Sequence, residues 1–437
     1  MCGAKCWQRL YPLSKYLQVR SFSVKPKSLD YHHNPFGICA TRRTYSQSQQ
    51  CHILGIETSC DDTGVAIVNS DGKILGESLF SQQELHLEFG GIIPPLARDM
   101  HEQNMEQATN IALEKSGLSL DEVDAIAVTN RPGLSLSLLV GLKHAKQLAL
   151  KGHKPLIPIH HMEAHAFTIR MVEKVDFPFL VLLISGGHSL LAVAQDVGRF
   201  KLLGSTLDDA PGEAFDKIAR RLKLRNLRRF DGMSGGAALE SAAAEGDPLA
   251  FPIAEPLLQN RDCNFSFAGV KNSSRLFIMK EEEKFGVNGD EVLPNLSDMC
   301  ASVQFAITKH LCRRVLRAFA YVESTGLVDN DRKRFVVSGG VACNTFIGRA
   351  LRVLGTHNGY SVSIPPRHLC TDNGVMIAWN GIEKWKVNQE IHQVDSLELI
   401  DINSKCPLGE DISADVTAAS IKTPAIHNRE LLAAIRL

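Results

Sequence analysis

His161 and His165 stand four positions apart in the run His160-His161-Met162-Glu163-Ala164-His165. On a helix, residues at i and i+4 share a face, so two imidazoles with this spacing can bind one divalent ion. Metalloproteases of the His-Glu-x-x-His type carry a glutamate directly after the first histidine as general base. Here Glu163 lies two positions beyond His161 and projects from another side of the helix, which argues against proteolysis. Spacing alone describes two ligand-free surface histidines equally well. A carboxylate from elsewhere would complete a site, and Asp372 in Cys370-Thr371-Asp372-Asn373-Gly374 is the best placed. It sits in a polar turn before a helical stretch, where a helix N-cap is the competing role.

Two glycine turns, each entered from an apolar strand, surround the histidines. The first is Glu57-Thr58-Ser59-Cys60-Asp61-Asp62-Thr63-Gly64 and the second is Ser185-Gly186-Gly187-His188-Ser189. Turns poor in side chains let backbone N–H groups approach a phosphate closely. A third strand ends in glycines at Ser338-Gly339-Gly340-Val341-Ala342-Cys343-Asn344 and leads into a helix from about Thr345, another anion- or nucleoside-binding geometry. A metal pair beside phosphate turns points to nucleotide chemistry.

These motifs need a scaffold, and beyond residue 51 the chain alternates strands and helices. Strands are expected at 53–56, 65–69 and 73–78, helices at 100–116 and 138–150, and strands at 123–129 and 156–159 before the histidine helix. The pattern restarts at Phe177 with strand, glycine turn and strand. Three strands, a helix, a strand and a helix, begun twice, predict two related α/β lobes around a cleft.

The 437 residues carry no net formal charge, but the average conceals a split. Residues 1–50 hold eight lysines and arginines against one acid, Asp30, leaving 40 basic and 47 acidic residues in the remainder. A basic, serine-bearing, acid-poor start without an apolar core is expected to be a mitochondrial transit peptide. The eleven cysteines include no Cys-x-x-Cys, which argues against a zinc ribbon or a disulfide framework. No apolar run approaches the ~18 residues of a membrane span, so no membrane insertion is expected.

The segments Glu57–Asp61, His161–His165, Ser185–His188, Ser338–Val341 with Asn344, and Thr371–Gly374 occur in an order that resembles the universal tRNA threonylcarbamoyladenosine transferases. The resemblance spans about residues 52–386, and the basic leader is similar to that of mitochondrial members. It implies an actin/Hsp70/sugar-kinase-like fold of duplicated ribonuclease-H-like units. Lobes are expected at 51–160 and 161–386, the final helix returning to the first, with a C-terminal tail at 387–437. It implies transfer of threonylcarbamoyl from threonylcarbamoyl-AMP to N6 of the adenosine 3′ of the anticodon in ANN-decoding tRNAs, releasing AMP. One divalent ion, iron or zinc, would sit on His161, His165 and Asp372. The adenylate would meet the backbone of Leu183, Ile184, Ser185, Gly186 and Gly187, with Asp216, Gly236 and Asn344 at the nucleoside. Mitochondrial relatives imply a homodimer in the matrix.

The residues add two expectations. Asp61 or Asp62 can take up the amine proton, and Arg220, Arg221, Lys223, Arg225, Arg228 and Arg229, six cations with no acid between them, can follow a tRNA backbone. A solvated helix end is the plainer reading of that run. Phe265 and Phe267 are candidates to flank the cleft or to fill a core. The chain departs from its relatives at Arg131, where glycine is usual, at Asp62, usually glutamate, and in an insertion at 223–233 that loosens the assignment of Gly236. An ATPase or sugar kinase of this fold would share the turns but would not need the paired histidines.

Overall fold

A computed structural model describes residues 50–436, so the expected transit peptide lies outside the described residues. The first sheet holds β1 (His52–Glu57), β2 (Asp62–Asn69), β3 (Ile74–Ser81), β4 (Ala125–Arg131) and β5 (Leu156–His160) in the order β3-β2-β1-β4-β5. The second holds β6 (Phe179–Ile184), β7 (Ser189–Asp196), β8 (Arg199–Ser205), β9 (Arg334–Ser338) and β10 (Ser361–Ser363) in the equivalent order β8-β7-β6-β9-β10. In both, the first three strands run antiparallel and the last two join in parallel. One unit has been built twice, which is the duplicated two-lobed α/β fold expected from the sequence.

Alternation along the strands distributes side chains among three cores. Leu54 and Ile56 face α1 (Pro94–Ser116) and α2 (Ser135–Gly152), packing with Met105, Ala108, Leu142 and Ala145. Ile53, Ala66 and Val68 point the other way, into a core shared with α3 (His161–Phe167) and with Phe179, Val181 and Leu183 of β6. The remaining β6 side chains, Leu180, Leu182 and Ile184, face the outer helices of the second lobe. These include α4 (Pro211–Arg221), α5 (Gly235–Ala243), α6 (Ala268–Phe285), α7 (Leu296–Thr325) and α8 (Thr345–His357). A strand covered on both faces has no reason to alternate polar and apolar residues, and β6 (Phe-Leu-Val-Leu-Leu-Ile) does not.

The last helix of the motif set, α9 (Gly374–Lys386), crosses back to the first sheet and enters it backbone to backbone. A Cβ on Gly55 would lie 2.2 Å from the Ala378 nitrogen, and one on Gly374 would lie 2.5 Å from the Ala66 nitrogen. Gly64 meets the Gly374 nitrogen at 2.7 Å in the same way. Residues 387–436, expected as a tail, pack onto the body instead. β11 (Glu410–Asp411) adds to β8, Leu397 and Ile400 join the outer core of the first lobe, and Ile412, Val416 and Leu431 join that of the second. Each anchor packs against an element far away in sequence, so local pattern does not reveal the packing.

Gly55→Ala should lower stability by about 1–3 kcal/mol or more, because backbone on both sides must move. A Cβ at Gly187 meets nothing within 4 Å, so Gly187→Ala should stay within about 0.5 kcal/mol of the parent. Urea unfolding midpoints of the two variants check the contrast.

Candidate active site

β5 delivers the histidines. His160 ends the strand and caps α3, its Nδ1 accepting from the Met162 N–H at 3.2 Å. His161 and His165 follow on one helix face with ring centroids 4.7 Å apart, both buried. Asp372, two residues before α9, arrives opposite them. Its Oδ1 lies 3.0 Å from Nε2 of His165 and 3.6 Å from Nε2 of His161, and one donor atom from each residue falls within 4.8 Å of the other two. The sequence-predicted trio is therefore one site.

Glu57, at the end of β1, orients it. The Glu57 carboxylate accepts from the Ser59 N–H and the Thr129 hydroxyl, each at 2.5 Å, and stands 3.2 Å from Nδ1 of His161. The Ser59 hydroxyl is 3.0 Å from the same nitrogen. A carboxylate at Nδ1 fixes that nitrogen as the donor and turns Nε2 toward Asp372, the arrangement that raises the basicity of a metal-ligating histidine. Burial disfavours a charge on His161, but Asp372 and Glu57 outweigh it and push the imidazole up to about 9. Burial raises Asp372 too, yet His161 and His165 hold it well below the usual carboxylate range. Nδ1 of His165 is buried with no hydrogen-bond partner among the described residues. Two converging Nε2 atoms and one carboxylate oxygen fit a divalent ion, and an N2O donor set suits iron or zinc.

The first glycine turn lies beside the trio. His101 anchors it from α1, with Nδ1 2.7 Å from the Thr63 hydroxyl and Nε2 3.1 Å from the Cys60 carbonyl. Within it, burial is the main cause that pushes Asp62 up to about 7; the Ser81 hydrogen bond opposes this and the charge of Asp61 adds to it. Burial also raises Asp61.

The second glycine turn lies on the trio's other side, bringing the His188 ring to 6.5 Å from that of His161. Burial, then the charge of His161, pushes His188 down to about 4, so it stays neutral. Gly186 and Gly187 are open, and α4 is pressed against the turn where Gly212 N–H donates to the Ser185 carbonyl at 3.2 Å. One turn along α4, Asp216 accepts from the Gly236 N–H at 3.1 Å. Glu240 of α5 accepts from the Thr345 N–H at 2.7 Å, beside Asn344. Asn344 caps α8 through Ile347 N–H at 3.0 Å and donates to Gln304 at 2.9 Å. Hydrogen bonds thus link the Ser185 turn to α4, α4 to Gly236, and α5 to Thr345, the residue after Asn344.

A family model for TsaD, tRNA N6-adenosine threonylcarbamoyltransferase, matches residues 73–379. The chain is 47% identical over 377 residues to the mitochondrial tRNA N6-adenosine threonylcarbamoyltransferase of Danio rerio, covering 86% of this chain and 93% of that one. To the protein of the same name from Homo sapiens it is 47% identical over 374 residues, covering 86% and 90%. A Drosophila melanogaster protein described as probably the same is 46% identical over 394 residues, covering 89% and 95%. The chain belongs to the tRNA N6-adenosine threonylcarbamoyltransferase family. It is a tRNA-modifying transferase.

For a transferase of this family, the rejected protease reading has a structural reason. Glu163 turns away from the trio, accepts from the Gly198 N–H at 2.8 Å and lies 3.7 Å from the buried Lys384 ammonium. The basic run is only partly available to RNA. Arg221 and Lys223 are tied to Glu282, Arg229 is 3.0 Å from Glu245, and Arg220 donates to the Gly90 carbonyl. Arg225, Arg228 and Arg229 are exposed, and Arg225 also acts on the Asp216 carboxylate. Those acids come from distant segments, so the sequence run looked more cationic than the surface is. Phe265 and Phe267 are fully buried in the second-lobe core. Arg131 reaches Glu390 with two contacts of 2.9 Å. The reading of the sequence gave Glu57 no separate role. Its signal was position: β1 pairs with β4 and β4 with β5, so the strand ends carrying Glu57, Thr129 and His160 share one edge.

His161→Ala, His165→Ala and Asp372→Ala should each leave less than one metal ion per chain by mass spectrometry, with the circular dichroism spectrum unchanged. Glu57→Gln should keep the ligands yet weaken metal affinity about 10–100-fold.

Proposed function

We propose that this chain transfers the threonylcarbamoyl group of threonylcarbamoyl-AMP to N6 of the adenosine 3′ of the anticodon in ANN-decoding mitochondrial tRNAs, yielding N6-threonylcarbamoyladenosine and AMP. The observation that carries this reading is the approach of His188, in the open Ser185–Gly187 turn, to within 6.5 Å of His161 in the metal trio. That juxtaposition suits a substrate with a phosphate at one end and an acyl group to be transferred at the other.

Adenine N6 is a weak nucleophile because its lone pair is delocalised into the ring, whereas the acyl carbon of a carboxylic–phosphoric anhydride is already activated. The enzyme's work is then to position both partners and stabilise charge. A divalent ion on His161, His165 and Asp372, zinc or iron, supplies Lewis acidity at a phosphate or carbonyl oxygen. The backbone from Leu183 to Gly187 receives the phosphate, and Asp216 grips ribose hydroxyls, a role carboxylates serve in dinucleotide folds. Gly236 allows close approach. Asn344, already holding Ile347 and Gln304, still has a second amide N–H and a second lone pair for the nucleoside. Asp62 is the better proton acceptor of the first-turn pair, since a base raised to about 7 matches the working pH.

Arg225 and Arg228 lead the tRNA contact, with Arg220, Arg221, Lys223 and Arg229 flanking it. The basic leader and the naming of the relatives as mitochondrial support a matrix location, where the chain acts as a homodimer. No helix among the described residues is long and apolar enough to cross a membrane. The lobes divide at about residue 160, with the helix 374–386 returning from the second lobe onto the first sheet.

Incubation with threonylcarbamoyl-AMP and unmodified ANN-decoding tRNA, followed by nucleoside mass spectrometry, should show the modified adenosine. ADP production from ATP at enzymatic rates would favour a kinase instead. A base must be ionised, so the transfer rate should rise with pH to a plateau above about 7, and Asp62→Asn should flatten that profile. Arg225→Ala and Arg228→Ala should each lower the slope of log K for tRNA against log salt by about 0.7–0.9. An unchanged slope would assign both arginines to plain surface.

A further inference from the structure

We propose that the exposed apolar loop 89–95 is the platform on which an unstacked base of the tRNA anticodon loop rests, with Phe89 as the stacking face beside the target adenosine. The proposal rests on the tRNA substrate and target position given above, and its test separates the two.

Phe89-Gly90-Gly91-Ile92-Ile93-Pro94-Pro95 carries no charged or hydrogen-bonding side chain, and every one of its residues is exposed. Phe89 itself is 59% exposed. A run of exposed apolar residues invites aggregation unless something covers it in use, so it marks an interaction surface. The backbone holds this run in place. The short helix Gln83–Glu88 leads into it, and the buried His86 is its anchor. The Gly91 N–H donates to the His86 carbonyl at 3.0 Å, the Ile93 N–H donates to Nδ1 of His86 at 3.5 Å, and Nε2 of His86 stands 3.0 Å from the Gln82 amide oxygen. The apolar side chains are thus presented from a tethered loop, which lowers the ordering cost of binding.

The loop's neighbours identify the chemistry of its partner. On one side it hangs from the first glycine turn, where the Gln82 N–H donates to the Asp61 carbonyl at 3.1 Å. On the other, the Gly90 carbonyl accepts from the Arg220 guanidinium, and a Cβ on Gly90 would lie 3.3 Å from that guanidinium nitrogen. Burial raises the Asp216 carboxyl while the Gly236 N–H and the charges of Arg225 and Arg220 oppose it, so both arginines lie beside the nucleoside residue. Exposed Arg225, Arg228 and Arg229 continue the cationic surface. An uncharged aromatic next to exposed arginines matches single-stranded nucleic acid, whose phosphates meet the cations and whose base faces meet the ring. The reaction also calls for such a surface. The target adenine must leave the anticodon-loop stack to bring N6 to the anhydride, and its neighbour then loses a stacking partner that an aromatic ring replaces.

The test compares the parent with Phe89→Ala, Phe89→Leu and Phe89→Trp. Affinity for unmodified ANN-decoding tRNA is read by filter binding across a salt series, affinity for AMP by calorimetry, and solution mass by light scattering. Phe89→Ala should weaken tRNA binding about 5–150-fold, the loss expected for one stacked base. The slope of log K against log salt should stay that of the parent, because no phosphate contact is removed. AMP affinity and solution mass should not change. Phe89→Trp should restore tRNA binding, whereas Phe89→Leu, apolar but without a ring face, should not. Unaltered tRNA affinity in Phe89→Ala, or full recovery in Phe89→Leu, overturns the proposal. A changed solution mass overturns it too, by assigning the loop to a second copy of the chain. Binding is read without turnover, so a parent that shows this pattern yet forms no modified adenosine supports the platform and removes the proposed function.

Discussion

The site depends on one contact, the absence of side chains where α9 meets the first sheet. Gly55 and Gly64 on the strands and Gly374 on the helix let backbone lie against backbone at distances no Cβ would permit. Asp372 is two residues upstream of that contact, so its position is set by main-chain packing and not by the rotamer of a long side chain. Widening the contact by the thickness of one methyl group would move the carboxylate away from two histidines it now reaches at 3.0 and 3.6 Å. Interiors are packed too densely to absorb such a shift locally.

From that fixed point the division of labour between the lobes follows. The histidine helix lies between the two sheets, touching β4 and β5 of the first and β6 and β9 of the second, and the first sheet adds the carboxylate of Glu57 at Nδ1 of His161. The second lobe supplies an open glycine turn, a capped asparagine and the carboxylates of Asp216 and Glu240.

Legibility followed the range of the interactions. The strands of both sheets except β10 and β11, the histidine helix and the three glycine turns announced themselves through local apolar runs and spacing. Asp372 could be nominated as a partner because a polar turn before a helix is a local signal too. Glu57 acquired its role only through the ladder joining β1, β4 and β5, and the pairing of Arg221 with Glu282 joins segments 61 residues apart. The packing of the C-terminal segment depends on long-range contacts in the same way: Leu397, Leu408 and Leu431 are each anchored in a different core. Family resemblance supplied Asp216 and Gly236, which composition and spacing would have left as a surface acid and a loop glycine.

The separation of 207 residues between His165 and Asp372 has a further meaning. An ion bridging them would close a macrocycle that contains β6 to β10 and helices α4 to α8. Loop-closure entropy grows only slowly with length, by about 0.6 kcal/mol per doubling, and here the ring is already closed by α9 docking on β1. Metal affinity is therefore not consumed in folding the chain, unlike small zinc domains whose binding free energy is their folding free energy. The polypeptide can fold first and be loaded afterwards, so the ion can be exchanged at a finished site without dismantling the lobes around it.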